Sequence, residues 1–288
     1  TGVSQDGSAA TALFQSAGND EIETDGDAII ACDGIHSAVR KQFYPDQGDP
    51  KWNGIMLWRG ACLWDPFLSG RSMVIAGGMD AKLVLYPIAN DDRSDGKVLM
   101  NWAVAAKMGD GSTPMPRRED WNREGVMSEL LPFVEDTFSL DVLDPLALIR
   151  ETGTFYEYPM CDRDPVAQWT FDRVTLLGDA AHPMYPVGSN GASQAVLDAR
   201  ALADKLAANG DIAAALKAYE NDRLATTSEI VLTNRSGGPE RVIDLVNQRA
   251  PDGFDELSDV ATRDELEGVV KGYSQLAGFA KEDVNAPR

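Results

Sequence analysis

The chain of 288 residues has little histidine and little cysteine, and it lacks the patterns that usually hold a metal. Two histidines, three widely spaced cysteines and no C-x-x-C pair leave few ligands for a zinc site, so we expect no metal. The odd number and wide spacing of Cys32, Cys62 and Cys161 favour reduced thiols and a cytoplasmic location. Cys32 falls in an apolar stretch, where we expect a small buried side chain.

Positive charge and long apolar runs are also scarce. The chain has 26 Lys and Arg against 46 Asp and Glu, which gives a net charge of −20. Such acidity argues against nucleic acid or an anionic membrane as a partner. No run of eighteen or more apolar residues occurs, so the sequence predicts no membrane-spanning helix. Without G-x-S-x-G or a convincing Ser-His-Asp arrangement, we expect chemistry that needs no side-chain nucleophile.

The most informative stretch runs from Val174 to Leu206. Its apolar start, Val174 to Leu177, is typical of a buried strand, and Gly178-Asp179 ends that strand. A loop with two prolines and two glycines follows, and apolar residues then return at helical spacing from about Ala192. The pattern predicts a strand, a glycine-containing loop and a helix whose first N–H groups attract anions.

A second stretch of similar design lies upstream, at residues 27–40. Asp27 to Cys32 predicts a buried strand, Asp33-Gly34 ends it, and Ser37 to Phe43 predicts a short helix. Taken alone, Asp33 fits a turn carboxylate and Arg40 fits a solvated helix residue. The two stretches together, in this order, are a more specific signal than either one.

Together these stretches resemble the D-G and G-D motifs of the FAD-dependent aromatic-ring hydroxylases, the flavoprotein monooxygenases typified by para-hydroxybenzoate hydroxylase. The loop Y-P-V-G-S-N-G-A-S-Q-A resembles the phenazine hydroxylase branch of that family. It departs from the usual family loop in its glycine placement and in having Ser193 where the family has Asn.

The resemblance implies which residues contact FAD. They are Asp33, Gly34, Ser37, Arg40, Gly178, Asp179, Ala180, Gly188, Ser189, Asn190, Gly191 and Ala192. It also implies that Pro186, Val187 and Gly188 lie near the reactive edge of the flavin, where a proline keeps the loop rigid and apolar. His182 stands inside the motif, and we expect it to bond the loop backbone rather than act as a base.

The activity implied by the resemblance is hydroxylation of an aromatic or heteroaromatic substrate. NADPH or NADH reduces FAD, and O2 adds to give a flavin hydroperoxide that transfers oxygen. The partners implied are a small aromatic substrate and O2, and a homodimer stays open. Two alternatives also remain open: a non-oxygenating flavin oxidoreductase or halogenase-like enzyme, and a non-catalytic flavin-binding module.

The family's G-x-G-x-x-G fingerprint, which contacts the ADP phosphates, does not occur in these 288 residues. We therefore expect the chain to be the C-terminal part of a longer enzyme. Its fold class is expected to be α/β (α+β). It would combine an incomplete FAD-binding Rossmann-like domain, in segments 1–50 and 166–210, with an antiparallel-sheet substrate domain at 51–165 and C-terminal helices at 211–288.

The amino-acid composition of several segments supports the antiparallel sheet expected at 51–165. Residues 71–76, 82–88, 97–105 and 152–159 have strand composition, and a turn is predicted at 90–96. Helices are predicted at 121–131, 132–140, 211–234 and 240–249. Arg59 stands beside Trp58 on a predicted strand and Tyr86 lies on another, so both are candidates for binding the substrate, Arg59 through a carboxylate or a ring.

Overall fold

A computed structural model describes residues 1–90 and 95–280. The predicted turn at 90–96 and the end of the predicted C-terminal helices lie partly outside these ranges. The strands are β1 (Gly2–Gln5), β2 (Ala10–Gln15), β3 (Glu21–Gly26), β4 (Ile29–Ala31), β5 (Lys51–Trp64), β6 (Val74–Gly77), β7 (Ala81–Asn90), β8 (Val98–Lys107), β9 (Phe155–Asp162), β10 (Thr170–Phe171) and β11 (Val174–Leu176). The α-helices are α1 (Ala38–Phe43), α2 (Met127–Leu130), α3 (Pro145–Glu151), α4 (Gly191–Ala208), α5 (Ile212–Arg235), α6 (Arg241–Arg249) and α7 (Arg263–Leu276).

The chain divides into two compact units, each built from separate segments. The first, here called the motif unit, contains Thr1–Lys51, Cys161–Arg241 and the residues from Arg263 onward. The second, here called the sheet unit, contains Trp52–Met160 and Val242–Thr262. The last of these segments lies in the range predicted as C-terminal helices, yet it clusters with the sheet.

In the motif unit, the strands of the two sequence motifs lie side by side. β11 pairs with β4 in parallel, with Val174 opposite Ile29 and Leu176 opposite Ala31, and β10 adds an antiparallel strand. A core of Val174, Leu176 and Tyr219, all fully buried, packs behind this sheet. β1, β2 and β3 form a separate antiparallel sheet.

The sheet unit is built on one five-stranded sheet in the order β6-β7-β8-β5-β9. β5, β6, β7 and β8 pair antiparallel with their neighbours in that group. One face carries the core, which includes Trp58, Trp102 and Leu83. Because strand side chains alternate between faces, Arg59 lies on the opposite face from Trp58. The expected antiparallel sheet is thus present.

The segment Val242–Thr262 is attached to this sheet by polar contacts. Lys82 Nζ lies 2.9 Å from a carboxylate oxygen of Asp244 on α6, and both side chains are largely buried. The backbone N–H of Met79 donates to Asn247 Oδ1 at 3.3 Å. These contacts explain why α6 clusters with strands that lie far from it in sequence.

The predicted helices at 121–131 and 132–140 are wrong in extent. The structure has only the single turn α2 and a 3-10 turn at Leu131–Phe133. Val126 precedes α2 and offers no side-chain cap, and Asp136 adopts a left-handed backbone with φ of 61° that ends any helix there. The prediction of a buried Cys32 is also wrong, because Cys32 follows β4, the edge strand of its sheet, and is exposed. No disulfide joins the three cysteines.

Candidate functional site

Parallel pairing of β4 and β11 brings the two motif loops to the same edge of the sheet. Leu177 donates its N–H to the carbonyl of Ala31 at 3.0 Å, so the strands end together. Asp33 follows one strand end and Asp179 follows the other. Ligands of open α/β sheets bind outside the carboxyl ends of parallel strands, which is where both loops lie.

The D-G loop is organised around the start of α1. Asp33 Oδ2 accepts hydrogen bonds from the N–H groups of Ala38 at 2.8 Å and Val39 at 3.3 Å. Ser37 Oγ accepts from the N–H of Arg40, so Ser37 is the N-cap. Gly34 has φ of +77°, and a Cβ built on it would meet no atom within 4 Å. The loop therefore has an open side at Gly34, while one oxygen of Asp33 is used within the protein.

Arg40 is buried and its guanidinium is directed at the other motif loop. Nη1 donates to the carbonyls of Ala180 at 3.0 Å and Ala181 at 2.6 Å. Nη2 donates to the carbonyl of Asp164 at 2.7 Å, and Nε donates to Gln47. Burial, helped by the charge of Arg163, lowers the pKa of Arg40 to about 10. The buried Arg40 side chain therefore connects the D-G loop to the G-D loop.

Asp179 is the carboxylate of the G-D loop. Gly178 has φ of +61°, which favours glycine, and it begins the 3-10 turn that contains Asp179. The Asp179 side chain reaches solvent, yet surrounding atoms remove enough water to raise its pKa, an effect that the nearby His182 opposes. No described residue donates a hydrogen bond to this carboxylate. It is therefore a recessed acceptor, suited to a ligand hydroxyl.

The loop before α4 has a constrained backbone. Pro186 is exposed, Val187 is half-buried, and Gly188 and Ser189 have φ of +71° and +50°. A Cβ on Gly188 would come within 2.9 Å of Pro239 and Tyr273. Gly188 was expected to contact FAD, and the atoms that a Cβ there would meet belong to the protein's own side chains.

The first turn of α4 is open to an anion or an electron-rich oxygen. Asn190, at the N-cap, makes no side-chain capping bond, and no described side chain accepts from the N–H groups of Gly191 and Ala192. A Cβ on Gly191 would lie 3.6 Å from Met184, an ordinary contact. An uncapped helix of 18 residues, a recessed carboxylate at Asp179 and the open side at Gly34 together fit a dinucleotide such as FAD.

A buried polar network lies beneath these loops. The sequence motifs alone did not predict it. His182 Nε2 lies 2.5 Å from Asp198 Oδ2, which also accepts the N–H of Gly178 at 3.2 Å. Arg223 donates to Asp198 Oδ1 at 2.8 Å and to Gln194 at 2.5 Å. Burial alone would raise the pKa of Asp198, but hydrogen bonds and charges from His182 and Arg223 outweigh it and lower the pKa. His182 thus has a structural contact, with Asp198 rather than with the loop backbone.

In the sheet unit, a polar cluster occupies the face opposite the core. Arg59 on β5 donates through Nε to Asn101 Oδ1 on β8 at 2.8 Å and through Nη2 to the Tyr86 hydroxyl on β7 at 3.4 Å. Tyr158 on β9 lies beside them, and burial raises its pKa while the charge and hydrogen bond of Arg59 oppose that rise. The structure therefore brings together Arg59 and Tyr86, both predicted, with Tyr158 on the predicted last strand and with Asn101, which sequence reasoning missed. These side chains meet because of the pairing register between strands that are distant in sequence, and local sequence does not contain that register.

The described residues show neither a metal-ion cluster nor a membrane-spanning helix. Across 1–90 and 95–280, no group of three or more His, Cys, Asp or Glu side chains is arranged to hold a metal ion. Within the same ranges, no helix combines the length and the apolar character needed to cross a bilayer.

Comparison with known proteins agrees with the geometry of the loops. Residues 158–233 match the family model of an FAD binding domain. The chain is 40% identical over 219 residues to the phenazine 1,6-dicarboxylic acid hydroxylase PhzS of Lysobacter antibioticus, covering 76% of this chain and 53% of that protein. It is 31% identical over 220 residues to 3-hydroxybenzoate 6-hydroxylase 2 of Aquipseudomonas alcaligenes, covering 74% of this chain and 62% of that protein.

Solved structures show the same fold. Klebsiella pneumoniae HpxO, complexed with FAD and uric acid, matches with a TM-score of 0.62 at 21% identity, over 98% of this chain and 62% of that one. A salicylate hydroxylase in a substrate complex matches with a TM-score of 0.66 at 19% identity, over 96% of this chain and 69% of that one. The chain spans roughly half the length of the curated relatives that it matches. The chain is thus similar, over about three quarters of its length, to hydroxylases of aromatic acids, and it contains a segment that matches an FAD binding domain.

Proposed function

We propose that this chain is part of an FAD-dependent monooxygenase that uses NADPH or NADH and O2 to hydroxylate an aromatic or heteroaromatic acid. The observation that carries the proposal is the parallel pairing of β4 with β11. This pairing places the D-G loop and the G-D loop at one sheet edge, where the family binds its flavin. The names of the relatives, which are hydroxylases of phenazine and benzoate acids, support the substrate class.

Several groups of the motif unit are suited to hold FAD. Asp179 would accept a hydrogen bond from a ribose hydroxyl, and Gly34 leaves room for the ligand at the D-G loop. The N–H groups of Gly191 and Ala192 would donate to oxygen atoms of the cofactor. Arg40 holds the carbonyls of Ala180 and Ala181 and so positions the G-D loop from behind. Bound flavin supplies the redox chemistry, so no side-chain nucleophile is needed.

The loop at Pro186 to Ser189 has a rigidifying role. Proline fixes its own φ, and the packing of Gly188 against Pro239 and Tyr273 limits movement of the next residues. Glu240 strengthens this arrangement, because its carboxylate accepts the N–H of Gly188 at 3.3 Å. A rigid loop excludes water more effectively than a mobile one, and a dry site protects reactive oxygen chemistry.

The substrate would bind at the polar cluster of the sheet unit. Arg59 is exposed and makes hydrogen bonds only to uncharged groups among the described residues. A guanidinium of this kind can pair with a carboxylate in a bidentate manner and can stack on an aromatic ring. Tyr86 and Tyr158 add hydroxyls and ring surface next to it.

The test uses the whole protein loaded with FAD. Oxidation of NADPH and NADH is measured with and without a panel of benzoate and phenazine acids, together with O2 uptake and the mass of the product. The proposal requires substrate-dependent O2 uptake that matches a product heavier by one oxygen atom. O2 uptake without hydroxylated product, or a flavin spectrum without nicotinamide oxidation, would contradict it and favour a non-oxygenating flavoprotein.

A further inference from the structure

Among the described residues, no carboxylate pairs with Arg59, which is exposed at the polar cluster. The chain has 46 acidic residues against 26 basic ones, and its other arginines often meet carboxylates, such as Arg235 with Asp162 and Asp164. Within the described part of the chain, the Arg59 guanidinium is held instead by the amide of Asn101 and by tyrosine hydroxyls. Its positive charge is therefore not neutralised by any described carboxylate.

The Asn101 side chain accepts a hydrogen bond through its oxygen but donates none through its nitrogen, which points to a role beyond stability. A guanidinium only donates, so the Asn101 oxygen must face Arg59 Nε and the amide nitrogen must face away. The residue is 2% exposed, and its Nδ2 has no hydrogen-bond partner. Burying an unsatisfied amide group is unfavourable, and an apolar side chain on β8 would avoid that cost.

We propose that Asn101 is a specificity-determining positioning residue, which orients Arg59 with a neutral acceptor and so keeps the charge of Arg59 for an anionic aromatic ligand. The inference rests on the proposed function, because it concerns the same substrate face. A carboxylate at position 101 would orient Arg59 equally well but would cancel its charge. An apolar residue would leave the charge but release the guanidinium from its orientation.

The experiment compares Asn101→Asp, Asn101→Leu and Arg59→Lys in the whole protein loaded with FAD. Asn122→Asp is the matched control, because it adds the same negative charge to the sheet unit at an exposed position. The probes are phenazine-1,6-dicarboxylic acid and its uncharged dicarboxamide. Binding is titrated through the absorbance of the phenazine ring, KM and kcat are measured for the acid, and the melting temperature of each variant is recorded.

The expected result is a selective loss of acid binding. Asn101→Asp weakens binding of the dicarboxylic acid by about tenfold or more, since a hydrogen-bonded ion pair is lost, and leaves the dicarboxamide unchanged. KM for the acid rises more than kcat falls. Asn101→Leu retains or raises the melting temperature, because the unsatisfied Nδ2 is removed, yet it binds the acid less tightly. Arg59→Lys also weakens binding of the acid, because lysine lacks the planar fork of donors that a guanidinium offers.

Other outcomes would overturn the inference. Equal losses for the acid and the amide in Asn101→Asp, or a loss of the same size in Asn122→Asp, would show that charge at position 101 does not select the ligand. A lower melting temperature in Asn101→Leu with unchanged acid binding would show a purely structural asparagine. Failure of the acid to bind the unmodified protein would also overturn it, whereas binding of the acid without turnover would contradict only the proposed function.

Discussion

At the scale of single residues, Asp179 and Arg40 show how differently two motif residues are used. Both were predicted to contact FAD from their place in the motifs. Asp179 points to solvent from a recess without a protein donor, whereas Arg40 is 2% exposed and donates to three backbone carbonyls and a glutamine. We therefore propose that Asp179 binds the cofactor directly and that Arg40 acts through the loop.

Replacing Asp179 with Asn should weaken FAD binding. A hydrogen bond to a charged group is worth about 1.5–3 kcal/mol, so the Kd for FAD should rise by about tenfold or more. The Kd is measured by flavin fluorescence on the whole protein. Asp172→Asn is the control, since Asp172 carries the same charge in the exposed turn between β10 and β11 and should not change the Kd. An unchanged Kd in Asp179→Asn would contradict the assignment.

Replacing Arg40 with Met should lower stability as well as FAD affinity. Each buried carbonyl left without a donor costs about 1–3 kcal/mol, and the carbonyls of Ala180 and Ala181 both depend on Arg40. Thermal unfolding and FAD titration measure the two effects. Arg263→Met removes an arginine whose side chain is 89% exposed and should change neither quantity. A stable variant with weak FAD binding would instead show that Arg40 contacts the cofactor.

At the scale of elements, α4 buries polar side chains as well as an apolar one, which its apolar spacing did not predict. Apolar spacing predicted a helix from about residue 192, and α4 is present from Gly191. Its buried side chains, however, are Gln194, Asp198 and Leu202, while Val196 is 69% exposed. The polar residues are tolerated inside because His182 and Arg223 pair with them. Such pairing depends on residues distant in sequence, which a periodicity cannot show.

Replacing Asp198 with Asn should destabilise the protein in a manner that depends on pH. Removing one partner of a buried ion pair costs about 3–5 kcal/mol. The pKa of Asp198 is lower in the folded state than its ordinary value of 3.8, so its stabilisation is fully present above that pH and is lost as the pH falls through the folded value. The difference in unfolding free energy between parent and variant should therefore narrow in acid.

Unfolding curves between neutral pH and about pH 3 would measure this difference. Asp204→Asn, on the same helix, breaks an exposed pair with Arg200 and serves as the control, for which we expect no measurable change. A constant difference across the pH range would mean that Asp198 stabilises the fold through packing rather than through its charge.

At the scale of the whole molecule, local signals predicted elements well and distant contacts poorly. Helix α1 was expected at 37–43 and occupies Ala38–Phe43, because Ser37 caps it. Helix α5 was expected at 211–234 and occupies Ile212–Arg235, because Asp211 caps it. The sheet order, the role of Arg40 and the Arg59–Asn101 pair depend on register between distant segments, so no local pattern contains them. The two loops that we propose to bind the cofactor were singled out only because their motifs resemble those of a known family.

Expressed alone, the 288 residues expose an apolar face on α4. Val196, Leu206 and the alanines at 192, 199, 203 and 207 form one exposed face of α4, and exposed apolar faces promote association. We expect the purified chain to self-associate and to bind FAD weakly, because it lacks the G-x-G-x-x-G fingerprint. Light scattering and FAD titration measure this, with Val196→Lys/Leu206→Lys as the matched variant.

The double variant separates the effect of the exposed α4 face on association from the effect of the missing fingerprint on FAD binding. Because both side chains point to solvent, lysines there should restore a monomer without lowering the melting temperature, and they should leave the weak FAD binding unchanged. If the parent chain is monomeric and binds FAD tightly, then the two motif loops hold the cofactor without the fingerprint, and the exposed face of α4 does not drive association. If the double variant melts earlier than the parent, Val196 and Leu206 contribute to the core of the motif unit after all.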